Sequence, residues 1–67
     1  MAISAMGRRI KRLREARGLS QRALATKAKV TQGLIHMLET GKVQDVRSQA
    51  VVKLAKALGV PVTELLG

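Results

Sequence analysis

Few side chains in this sequence could carry out covalent or acid–base chemistry. It holds one histidine, His36, four acidic residues and no cysteine. No carboxylate pair stands out as acid and base, and no nucleophile has an evident base, so an enzyme is the least expected class. Without cysteine there are no disulfides or thiolate zinc sites, and a lone histidine makes no ligand cluster. Zinc fingers are excluded, and neither a metal nor another cofactor is expected. What remains is recognition. Thirteen Lys and Arg against four Asp and Glu give a formal charge of +9 and a pI of about 11.6. Such a field favours a polyanionic partner, nucleic acid or an anionic membrane surface, and says nothing about fold. Gln32 adds a directional group: in a DNA major groove such an amide pairs at two points with adenine N6 and N7, worth roughly 1–3 kcal/mol of discrimination. His36 can meet a phosphate or a base.

These residues fall within Ser20 to Gly41, SQRALATKAKVTQGLIHMLETG, which reads as two short helices joined by a tight turn. The spacing turns Leu24, Ala25, Ala28, Val30, Ile35 and Leu38 inward and leaves Gln32, Gly33, His36 and Met37 outward. Ser20 caps the first of these helices, about 20–28, and Thr31 the second, about 31–40, which stops at Gly41. The small residues Ala25 and Ala28 let a crossing helix approach closely. Leu34 lies at the edge of the inner face, either marginal core or an apolar contact to DNA. Free amides beside the Ser20 cap form a small anion site suited to a phosphate.

The flanking segments read as supports. Ile3, Met6, Ile10 and Leu13 form a helical stripe over Ile3 to Arg17. The other faces of this helix carry Arg8, Arg9, Lys11, Arg12, Arg14 and Arg17, with Glu15 the one acid. A helix lying on a membrane surface is disfavoured, because the stripe is narrow and lacks aromatic anchors. Gly18 ends the helix, with Leu19 folding back over the last turn. Residues 41–48 read as a loop carrying Lys42 and Arg47, with Asp45 or Ser48 capping the next helix. That helix presents Val51, Leu54, Ala55 and Leu58 and ends at Gly59. Pro61 opens a brief fifth helix with Val62, Leu65 and Leu66. No repeat or linker divides the chain, so 1–67 is expected to be a single domain. At this size only about 60% of the unfolded chain's surface can be buried, which argues against a deep cleft. No apolar run approaches the ~18 residues of a membrane span. The start lacks a secretory signal, and cytoplasmic residence is the expectation.

These residues together resemble the lambda-repressor-like helix-turn-helix domains of phage repressors, Cro proteins and bacterial XRE-type regulators. The signposts are Ile10, Leu13 and Arg14, GLSQ at 18–21, LA at 24–25, Val30, Ile35, LETGK at 38–42, LAKALGV at 54–60 and ELL at 64–66. The resemblance covers nearly the whole chain. It implies an all-α, compact five-helix bundle and a DNA-binding transcriptional regulator, most simply a repressor, that binds a double-stranded operator as a homodimer. Carried over by position, Gln32, Gly33 and Met37 reach base edges, and His36 joins them as a candidate. Gln21, Thr31 and Lys42 lie on the phosphate backbone. Arg14 and Glu39 form a partly buried ion pair tying the first helix to the recognition helix. Arg22, Lys29 and Arg47 complete the expected phosphate contacts, which supply affinity without sequence information.

Three departures from the family pattern matter. Lys29 stands where the turn usually has glycine, so a left-handed conformation is expected there at some cost, which reaching a phosphate would offset. Gly33 and Met37 replace polar readers, leaving shape and thymine methyls as their contacts. The loop from Lys42 to Arg47 is longer than usual, with Val46 where proline is frequent. The dimer surface is expected near Leu58 to Leu66, where apolar residues exceed what so small a core can absorb. The alternative function is an antitoxin-like protein-interaction module with secondary DNA binding. RNA binding is disfavoured, because single strands are gripped by aromatic stacking and the chain has no aromatic residue.

Overall fold

The computed structural model describes residues 5–42 and 48–66. Five helices follow one another: α1 (Ala5–Ala16), α2 (Gln21–Ala28), α3 (Gln32–Glu39), α4 (Ser48–Leu58) and α5 (Val62–Leu66). There are no strands among the described residues. The helix boundaries follow local chemistry. The Ser20 hydroxyl accepts from the Ala23 amide at 3.0 Å and the Thr31 hydroxyl from the Leu34 amide at 3.1 Å, each satisfying a donor that the helix itself cannot. The expected stripe residue Ile3 and the expected caps Asp45 and Ser48 fall outside the described backbone or side chains.

Four helices end the same way. After α1 the amide of Gly18 donates to Glu15 and that of Leu19 to Arg14. The pattern recurs at Lys29 and Val30 after α2, at Gly41 and Lys42 after α3, and at Gly59 and Val60 after α4. Each closing residue has a positive φ, which glycine adopts freely. At α2 the position is held by Lys29, with φ 60° and ψ 43°. A side chain in that region costs about 1–2 kcal/mol. Glycine would remove the cost but lose more chain entropy on folding, roughly 0.5–1 kcal/mol. Lys29→Gly is therefore expected to stabilise the fold by up to ~1 kcal/mol in urea denaturation followed by helical circular dichroism.

The core draws on every helix. Ile10, Leu24, Ile35, Leu38, Leu54, Leu58 and Leu65 are fully buried, with Ala25, Ala28, Ala55 and Val51 filling between them. Met6, Leu13, Leu19, Val30 and Leu34 pack half-buried against this cluster. Leu34 thus belongs in part to the core. α2 packs on α3 and α4, α1 on α3 and α5, and α4 on α5. The stripe alone places Arg14 among the exterior cations of α1; it lies instead on the inner face with Ile10 and Gly7, as the ion pair with Glu39 implied by the family resemblance requires. The apolar surplus expected from Leu58 to Leu66 is smaller than supposed. Leu58 and Leu65 enter this chain's own core, and Val60 and Val62 pack against it. The side chain of Leu66 is outside those described.

Candidate nucleic-acid interface

The two short helices are locked by a polar cluster. Arg14 Nε donates to Glu39 Oε2 at 2.8 Å and Nη2 to Oε1 at 3.0 Å, a two-pronged ion pair whose side chains are only 10% and 4% exposed. The third arm, Nη1, donates to the Leu19 carbonyl at 2.7 Å, and the Gln21 amide donates to Glu39 Oε1 at 3.1 Å. One carboxylate at the end of α3 thus holds the last turn of α1 and the first turn of α2. A carboxylate at a helix C-terminus opposes the macrodipole; the guanidinium offsets this. The hydrogen bond to Glu39 holds the Arg14 guanidinium above its ordinary pKa, against the opposing effect of burial, so it stays charged. The same pair leaves twelve Lys and Arg against three acids elsewhere in the sequence.

This clamp fixes what α3 turns outward. Gly33 and Met37 each lie two residues from the buried Ile35, about 200° around the helix and therefore on its opposite side. Gln32 and His36 are exposed beside them, and Met37 is 38% exposed, one of two large exposed apolar side chains among the described residues. A methyl group built on Gly33 would meet nothing within 4 Å, and its backbone is ordinary. Gly33→Ala is expected to raise stability by up to ~1 kcal/mol through helix propensity, read as a higher melting temperature. A lower one would show that the apparent space is not free.

The expected phosphate contacts divide. Arg22, Lys29, Thr31 and Lys42 are exposed. Thr31 spends its hydroxyl as the cap of α3. Gln21 is half-buried with its amide nitrogen on Glu39, leaving its backbone N–H at the first turn of α2. Arg47 lies outside the described residues. The bonds from Arg14 to the Leu19 carbonyl and from Gln21 to Glu39 were not visible in the sequence. The first uses a backbone acceptor with no residue signature. The second needs the angle between α2 and α3. No helix of the described residues is long and apolar enough to cross a membrane, and no cluster of metal-ligating side chains occurs among them.

A helix-turn-helix domain family matches residues 5–66, nearly the whole chain. The chain belongs to the lambda-repressor-like helix-turn-helix family. This helix-turn-helix chain is similar to the restriction-modification controller protein C.AhdI from Aeromonas hydrophila, with 33% identity over 94% of both chains and a TM-score of 0.86. It is similar to SinR, the master regulator for biofilm formation, in a structure with DNA. There identity is 32% over 92% of this chain and 98% of that one, with a TM-score of 0.90; the SinR DNA-binding domain is from Bacillus subtilis. The DNA-binding domain of the P22 C2 repressor is 27% identical over 98% of this chain and 86% of that one, with a TM-score of 0.85. No curated protein sequence matches the chain. It is a DNA-binding helix-turn-helix domain similar to transcriptional regulators and repressors, a non-enzymatic family.

Proposed function

We propose that this domain is a sequence-specific regulator of transcription, acting as a repressor, that sets α3 in the major groove of a duplex operator. The observation that carries the reading is the exposed face Gln32, Gly33, His36 and Met37, held rigidly by the Arg14–Glu39 clamp and accompanied by the exposed cations Arg22, Lys29 and Lys42. Gln32 reads adenine. Met37 and the space above Gly33 take thymine methyls. His36 contacts the adjoining base. Arg22, Lys29, Thr31, Lys42 and Arg47 hold phosphates, joined by the Gln21 main-chain amide. The protein works on the nucleoid in the cytoplasm.

One α3 of eight residues spans too few base pairs for useful selectivity, so two copies bind half-sites ~34 Å apart. The homodimer forms through Leu58 to Leu66, where Val60 and Val62 are half-buried and Pro61, Thr63 and Glu64 exposed. Selection from random duplexes, followed by a salt titration on the selected sequence, tests the reading. The expected result is a two-fold symmetric site and a steep salt dependence, with log K falling by roughly 0.9 per decade of salt for each phosphate neutralised. If no sequence is enriched and a scrambled duplex binds equally well, the reading fails. Repression is checked by placing the selected site over a reporter promoter and measuring lower output.

A further inference from the structure

The outer face of α1 carries a second concentration of charge that the operator reading does not use. Arg8 and Arg12 each lie two residues from the fully buried Ile10, and so on the opposite side of the helix. With Arg9 and Lys11 they line a hollow of about 760 Å³ along α1, in which Glu15 is the one described acid. Glu15 leans towards Arg14, 3.9 Å away. No ion pair among the described residues engages Arg8, Arg9, Lys11 or Arg12.

This face also works against the helix that bears it. The first turn of α1 contains no acid, and Arg8 places a cation at the positive end of the macrodipole. Arg8 with Lys11, Arg8 with Arg12 and Arg9 with Arg12 are like-charge pairs at spacings of three and four residues, each of them repulsive. Ordinary helix support would call for interspersed acids. A local rule broken without internal compensation marks a place where an external partner supplies the compensation.

The direction of the face separates it from the reading helix. α1 and α3 meet through their inner sides, where Arg14 bonds Glu39. Their outer sides, Arg8 and Arg12 on one and Gly33 and Met37 on the other, therefore diverge. The apolar side of α1 is consumed by the core, so no apolar stripe remains for a bilayer. The hollow offers an apolar peptide only Ala5 and Ala16. Cations without an apolar floor fit a phosphate backbone. Arg8 and Arg12 are ~6 Å apart along the helix, close enough to meet neighbouring phosphates of one DNA strand.

We propose that the outer face of α1 binds the phosphates of a second DNA duplex, so that the domain can join two DNA segments. The joining rests on the operator reading above; the cationic face does not. The test uses the full chain. An immobilised duplex bearing the selected operator is loaded with protein, and a labelled duplex of unrelated sequence is added over a range of salt. Wild-type protein is expected to capture the label. Arg8→Gln/Arg12→Gln, with a good helix former at both positions, is expected to capture at least about fivefold less, with a salt slope shallower by about 2 and operator loading within about twofold. Equal capture by the variant would overturn the proposal. So would a matching loss of operator loading, which would put this face on the first duplex. Binding of wild type to phosphatidylserine vesicles without label capture would overturn it in favour of a lipid surface. If a scrambled immobilised duplex loads as well as the operator and capture persists, the regulator reading fails and this face stands.

Discussion

Glu39→Ala is expected to leave the domain largely unfolded near room temperature. The substitution strands the Arg14 guanidinium in a site only 10% exposed, with the part-buried Leu19 carbonyl and the exposed Glu15 carboxylate, 3.9 Å away, as its remaining partners. Breaking one side of a buried pair costs about 3–5 kcal/mol. A chain of 67 residues has a total stability of roughly 3–10 kcal/mol at 0.05–0.15 kcal/mol per residue. The loss is thus comparable to the whole, and urea denaturation followed by helical circular dichroism would show little folded baseline. A paired replacement separates charge from packing. Arg14→Met/Glu39→Leu removes both charges and keeps most of the volume, and it is expected to cost much less than either single change. If the double variant is as unstable as Glu39→Ala, the cluster's contribution lies in packing and the ion-pair account is wrong.

Gln32→Ala should act on recognition and not on the fold. Gln32 is exposed at the start of α3 and its side chain makes no hydrogen bond within the described residues, so stability is expected to move by less than ~0.5 kcal/mol. A two-point amide contact to adenine is worth about 1–3 kcal/mol against the wrong base, or roughly 5- to 150-fold. The expected result is loss of preference at one position per half-site, the others being retained. Affinity for scrambled duplex should scarcely change, because glutamine carries no charge for counterion release. Base preference unchanged throughout the site would remove Gln32 from the reading set. Lys29→Gly makes a useful contrast: it removes one cation while stabilising the fold, so weaker binding with a salt slope shallower by about 1 could not be blamed on unfolding.

The legible parts of this fold are those set by local chemistry. Ser20 and Thr31 announce the starts of α2 and α3, Gly18, Gly41 and Gly59 announce ends, and the period of Leu24, Ala25, Ala28, Ile35 and Leu38 shows the inner face. Lys29 in a left-handed turn follows from the family resemblance, in which that position is usually glycine, and not from the lysine itself. Tertiary partners were harder. Arg14 stands four residues from Ile10, in line with the stripe, yet its charge argues for the exterior; its pairing with Glu39, 25 residues away, came from the family resemblance and not from the residue pattern. Leu58 and Leu65 looked surplus because counting apolar residues does not reveal that α1 and α4 pack against α5, which draws both into this chain's own core. The outward set on α3 was readable as a face, but its chemistry depends on DNA that the sequence does not contain.

The branching of hydrogen bonds at Glu39 has a mechanical meaning. Apolar side chains attract in every direction and let neighbouring helices pivot, whereas a two-pronged ion pair with a third donor from α2 has a preferred angle. α3 has eight residues, a lever ~12 Å long at 1.5 Å per residue. A tilt of about 15° would displace its tip by ~3 Å, close to the 3.4 Å rise between neighbouring base pairs. On the proposed reading, angular play of that size between α2 on the backbone and α3 in the groove would confuse one base pair with the next. On that reading a single carboxylate sets the angular tolerance within which this small aliphatic domain counts base pairs.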